Sequence, residues 1–221
     1  MSFIAAAVQF APAFNWPDHN RHRLTLLAEE AAAQNAQIVV LPELAVQGYL
    51  RQDAQESWCL PGRAGFPLRV ASDPASVAEP VPGPTTDHFS RLAARLGIYL
   101  TVPVLEVSAG RFFNSVCLVS PEGRLLVHYR KRHPWPPLER YWAAPGDRGP
   151  AVLDTPMGRL GIAVCYDIHH ILPEYEGLGV QTLLFPTSWI DLAPTRSHFF
   201  DQTLGGSALR HGMNMIVANW T

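Results

Sequence analysis

The sequence predicts a mixed α/β fold, on three observations. Apolar runs of strand length recur along the chain, among them Ile38-Val39-Val40-Leu41 and Leu160-Gly161-Ile162-Ala163-Val164. Between several of these runs lie stretches whose apolar residues repeat at helical spacing. Turn signals such as Pro121-Glu122-Gly123 and Pro156-Met157-Gly158 separate strands that have no helix between them.

Taken in order, Met1 to Phe10 reads as a strand beginning almost at the first residue. Asp18 to Asn35 carries Leu24, Leu27, Ala28 and Ala31 on one stripe, which predicts a helix with one buried face. A strand ending at Pro42 follows. Thr86 to Leu96 predicts a second helix, with Phe89, Leu92, Ala93 and Leu96 on one side. Thr85 or Thr86 suits its cap, Asp87 its first turn and Gly97 its exit. Strands are then expected at Ile98 to Leu105, Ser115 to Val119, Arg124 to Tyr129, Ala151 to Asp154 and Arg159 to Val164. Pro173 to Gly177 is helical, Thr182 to Phe185 a strand, Arg196 to His211 a helix and Met215 to Ala218 a strand. The stretch from Leu50 to Pro84 has no periodicity and is rich in Pro, Gly, Ala and Ser. Directly after the Ile38 strand, it is expected to form a wall or lid over a site, the alternative being a surface excursion.

At 221 residues and 48% hydrophobic content, the chain suits one well-buried domain over residues 1–221. A formal charge of -2 gives no broad electrostatic reason to bind nucleic acid or an anionic membrane. No apolar run approaches membrane-spanning length, and the amino terminus lacks the basic start of a signal peptide. Cys59, Cys117 and Cys165 are scattered and odd in number, and no CxxC pair suggests zinc. These features predict a reduced, cytoplasmic protein.

Three polar residues stand at or just beyond the ends of apolar runs: Glu43, Lys131 and Cys165. Open α/β sheets collect catalytic groups at the carboxyl ends of their strands. Each residue alone has a plainer reading, as a surface carboxylate, a solvated lysine and a small buried hydrophobe. Together they supply a general base, a fixed cation and a thiol, the parts of an acyl-transfer site. Desolvation is expected to raise the Glu43 pKa, and Cys165 is expected to be a poised thiolate beside Lys131. Tyr166-Asp167 and then Pro173-Glu174 imply a sharp turn that exposes the sulfur and frees the Tyr166 N–H as half of an oxyanion hole. His169-His170 invites a metal reading, but adjacent histidines on one turn point apart, so His169 is expected to shape a substrate pocket instead. Trp135, Trp142 and Trp189 suit an apolar slot or simple packing, and Tyr49 is a further substrate-binding candidate. Asn114 is expected either to hydrogen-bond behind the site or to sit in an ordinary turn.

Three stretches around these residues resemble the nitrilase superfamily of carbon–nitrogen hydrolases: Leu41-Pro42-Glu43, Tyr129-Arg130-Lys131-Arg132-His133, and Gly161-Ile162-Ala163-Val164-Cys165-Tyr166-Asp167. Phe113-Asn114-Ser115, Ala144-Pro145-Gly146-Asp147 and Phe185-Pro186-Thr187-Ser188-Trp189 add to the likeness. The resemblance implies a four-layer α-β-β-α sandwich and a Glu43-Lys131-Cys165 triad. It also implies a second glutamate, Glu139, that holds the lysine or orients substrate and water; pairing with Arg140 is the alternative. Such enzymes use no cofactor or metal and cleave a small-molecule amide through a cysteine thioester, releasing ammonia or an amine. Their common assemblies imply a homodimer or larger homo-oligomer. Ser207-Ala208-Leu209-Arg210-His211 and Asp167-Ile168 look closer to the pantetheinase and biotinidase branch, which favours amidase over nitrile chemistry. The run ending at Thr221 stops where such relatives continue, so the sandwich is expected to lack some C-terminal strands. Two other readings remain open: a catalytically impaired subunit with a binding or assembly role, and a thioester-based N-acyltransferase.

Overall fold

In the computed structural model, which describes residues 2–50, 73–136, 138–189 and 198–221, the strands gather into two sheets. The first has the order β1 (Ala5–Ala7), β2 (Ile38–Val40), β3 (Tyr99–Ser108), β4 (Arg111–Val119) and β5 (Leu125–Arg130). Its β1–β2 and β2–β3 pairs are parallel, and its β3–β4 and β4–β5 pairs are antiparallel. The second has the order β6 (Ala151–Thr155), β7 (Gly158–Ile162), β8 (Thr182–Pro186) and β9 (Asn214–Ala218), with only β6–β7 antiparallel.

Strand alternation sorts the side chains into layers. Val39 faces α1 (Pro17–Ala33) and α2 (Pro84–Leu96) in a core with Leu24, Ala28, Phe89 and Ala93. Its neighbours Ile38 and Val40 face the other way and meet Val116 and Leu118 from their own sheet and Leu160, Ile162 and Leu184 from the second. On the far side of the second sheet, Leu183 and Phe185 join Leu172 and Tyr175 of α3 (Leu172–Gly177) and Leu204. The order of layers is helix, sheet, sheet, helix, as expected.

Several expectations need correction at the edges. The first strand is only three residues long, because after Ala7 the chain leaves the sheet and Phe10 N–H bonds the Asn219 carbonyl at 3.2 Å. Gly83, not Thr85 or Thr86, caps α2; Pro84 fills the first helical position and the Thr86 hydroxyl accepts the Gly83 N–H at 2.7 Å. Gly97 does close α2, in the left-handed conformation at φ 68°. The expected helix from Arg196 begins outside the described residues; within them, His198–Gly205 is π-helical and α4 (Gly206–His211) follows. Cys59 and positions 51–72 of the expected wall or lid also lie outside the described residues. Among the described residues no helix is long and apolar enough to cross a membrane.

Candidate active site

The site is built at strand exits of both sheets. After β2 the chain continues through Leu41, whose N–H is held by the Thr101 hydroxyl at 2.8 Å, and turns at Pro42 and Glu43. Lys131 follows β5 directly, its N–H bonded to the Asn114 carbonyl and its own carbonyl to the Gly146 N–H, each at 2.8 Å. Gly146 is needed there: a β-carbon on it would lie 2.0 Å from the Arg130 carbonyl oxygen. Cys165 stands three residues beyond β7 at φ 46°, a left-handed conformation unusual for a non-glycine residue, and opens a 3-10 turn (Cys165–His169). Asp167 pins this elbow from inside, accepting the Tyr129 hydroxyl at 2.8 Å, the His133 N–H at 2.8 Å and the Val164 N–H at 3.2 Å. As the second residue of the turn, Tyr166 has an N–H that the helix cannot use internally.

Lys131, Glu43 and Glu139 converge with no side-chain exposure. The Lys131 ammonium donates to Glu43 Oε1 at 2.7 Å and to Glu139 Oε2 at 2.5 Å. Asn114 Nδ2 bridges the same two carboxyls at 2.7 and 2.5 Å, so it belongs behind the site and not to a turn. Ser188 Oγ donates to Glu43 Oε2 at 2.7 Å, and the Trp135 N–H donates to Glu139 Oε2 at 2.5 Å. Glu139 therefore meets Lys131, whereas Arg140 lies over the Tyr141 ring.

The electrostatics correct two expectations. Burial pushes the Glu43 carboxyl up, as anticipated, but Lys131, Ser188 and Asn114 overcome it and hold the group below the usual carboxylate range. The raised carboxyl is Glu139, lifted by burial and by the Glu43 charge against the pull of Lys131. Lys131 stays firmly protonated: burial opposes its charge, and the two carboxylates more than restore it. Cys165 is no resting thiolate. Burial and then the Glu43 charge push its thiol up to about 12, with Lys131 and Thr187 opposing.

Beside this cluster lies a cavity of about 70 Å³. Cys165, Tyr166, Ser188, Tyr49, Trp135, Leu138 and Trp189 line it. Tyr49, Tyr166 and Trp189 thus stand where substrate-binding residues were expected. His169 does not line the cavity: it is exposed, with its ring 5.3 Å from that of Tyr166 and 6.5 Å from that of Trp189. The His169 and His170 rings are 6.4 Å apart and nearly perpendicular. Trp142 packs with Leu44, Leu105 and Trp220 instead of lining the cavity. Sequence reasoning quoted Thr187 and Ser188 only within a stretch resembling the family and gave neither a role, although both follow β8 as Glu43 follows β2.

A family model described as carbon-nitrogen hydrolase matches residues 4–175. Omega-amidase NIT2-B of Xenopus laevis is 32% identical over 180 residues, covering 76% of this chain and 57% of that protein. An (R)-stereoselective amidase of a Pseudomonas species is 35% identical over 150 residues, covering 68% of this chain and 46% of that protein. The chain thus spans about half the length of these relatives. Among solved structures, a CN-hydrolase superfamily protein of Xanthomonas campestris with an arsenic adduct in its active site superposes with a TM-score of 0.78. At 23% identity, covering 100% of this chain and 77% of that one, this likeness bears on the fold.

Proposed function

The chain belongs to the carbon–nitrogen hydrolase family, and from that premise we propose that it hydrolyses the amide of a small molecule through a thioester on Cys165. The observation that carries the reading is the contact of one buried ammonium, Lys131, with Glu43 at 2.7 Å and Glu139 at 2.5 Å, beside a cavity that Cys165 lines. The two amidase relatives favour an amide over a nitrile. The small, largely aromatic cavity favours a short, uncharged acyl group.

In this mechanism the thiol, held near 12, ionises only as it reacts. Glu43 takes the sulfur's proton while the sulfur bonds the amide carbon, so negative charge passes to the carbonyl oxygen and never rests on sulfur. Lys131 has three N–H donors, two of them engaged by Glu43 and Glu139, and the third is available for that oxygen together with the Tyr166 N–H. Collapse breaks the C–N bond, and the nitrogen leaves with the proton from Glu43. Water then attacks the thioester and gives its proton to Glu43; the carbon–sulfur bond breaks, and the thiol regains that proton as the acid departs.

Brief exposure to a panel of short aliphatic amides, followed by intact-mass spectrometry, tests this. The expected result is ammonia or amine release with an acyl adduct on the wild type and neither in Cys165→Ala. Undiminished hydrolysis by that variant would overturn the mechanism.

A further inference from the structure

Glu43 presents two oxygens to its surroundings, and they are not equivalent. Oε1 accepts from Lys131 Nζ and from Asn114 Nδ2, both at 2.7 Å, which fills its two lone-pair sites. Oε2 accepts from Ser188 Oγ at 2.7 Å and keeps its other lone pair. Only Oε2 can then receive a proton without displacing a donor.

We propose that Ser188 is a positioning residue that turns Glu43 Oε2 toward the Cys165 thiol and fixes it as the oxygen that takes the proton. The proposal rests on the hydrolase reading and adds a residue to it. Ser188 has one O–H, and it is committed to Glu43. Ser188 lines the cavity with Cys165. The serine is held on either side: Thr187 N–H bonds the Ala218 carbonyl at 2.8 Å, and Trp189 N–H bonds Asn219 Oδ1 at 2.7 Å. Its backbone is therefore held by Ala218, at the end of β9, and by Asn219 just beyond.

The titratable groups facing Glu43 are Lys131, Glu139, Tyr49 and Cys165, and Asn114 and Ser188 are its neutral donors. Losing the serine hydroxyl removes a donor that favours ionised Glu43 and leaves Oε2 unaimed. Ser188→Ala and Ser188→Thr in the full chain test this with two pH profiles. One is kcat/KM on an amide the wild type turns over; the other is alkylation of Cys165 by iodoacetamide, followed by intact mass. In Ser188→Ala the acid limb of both profiles moves to higher pH, and kcat falls about tenfold with KM unchanged. Ser188→Thr restores both. A folded Ser188→Ala protein with wild-type limbs and kcat overturns the proposal, as does a folded Ser188→Thr protein that behaves like Ser188→Ala. A wild type that cleaves no amide would sink the hydrolase reading alone, because the alkylation profile still reads the Ser188 contribution.

Discussion

Arg130 and Lys131 are neighbours in the chain and enter two opposite kinds of buried charge cluster. Arg130 donates to Glu106 at 2.5 and 3.1 Å and to Asp147 at 2.8 Å, and its guanidinium lies 3.9 Å from the centre of the Phe113 ring. Glu106 is also bonded by Ser115 at 2.5 Å and His128 at 2.7 Å. Burial would raise the Glu106 carboxyl, yet His128, Arg130 and Ser115 hold it at about 2. In that cluster two guanidiniums face two carboxylates, since Asp147, half exposed, also lies 3.9 Å from Arg111. One residue later, a single ammonium serves two carboxylates, and a thiol stands beside them. The unmatched charge drives the Glu43 and Glu139 titrations in opposite directions. A balanced cluster locks a strand end, whereas an unbalanced one has groups ready to exchange protons.

The largest effect expected from breaking this contrast is in Lys131→Met. Amide turnover should fall by at least about a thousandfold. Two buried carboxylates would lose their cation, at a cost of about 3–5 kcal/mol in urea unfolding. Glu106→Gln should do the reverse, lowering stability by about 2 kcal/mol while leaving turnover at 25 °C intact. The Glu106 carboxyl is depressed from 4.5 to about 2, so its stabilisation is complete above pH 4.5 and is lost as pH falls through 2. Melting temperatures across that window should fall less steeply in the variant than in the wild type. If Glu106→Gln abolishes turnover, the two clusters are not separate devices.

Gly146→Ala should disturb both at once, since its new methyl would press on the Arg130 carbonyl while its N–H holds that of Lys131. Stability should drop by about 1–3 kcal/mol, with activity falling in parallel. The smallest effect belongs to Cys117→Ala. Burial pushes that thiol up to about 12 as well, but the carboxylate acting on it, Glu106, is already tied to Arg130. Peptide mapping after iodoacetamide should find Cys165 labelled well ahead of Cys117, and at the same rate when Cys117 is replaced. Equal labelling of the two would mean that Glu43 does not act as a base.

Much of this was legible in the sequence because it is local. Leu24, Ala28 and Ala31 announce α1, Gly97 ends α2, and Glu43, Lys131 and Cys165 stand at strand exits. The direction of the Glu43 titration was not legible. It depends on donors 71, 88 and 145 positions away, and desolvation alone gives the wrong sign. The same distance hid the role of Ser188, whose partner lies in the other half of the chain. Thr85 and Thr86 misled as caps because both hydroxyls have other employment: Thr85 Oγ1 donates to Glu79 at 2.9 Å and Thr86 reaches back to Gly83. His169, exposed on the short 3-10 turn, does not line the cavity.

Trp220 ties the Glu43 carbonyl at 2.7 Å through its indole N–H, across 177 positions of sequence. A ribosome adding 5–20 residues per second needs roughly ten to thirty seconds to cover that span. Through that interval the nascent chain carries Glu43, and later Cys165, without that contact. The anchor of the Glu43 turn is thus made only after the strands of both sheets, β1 to β9.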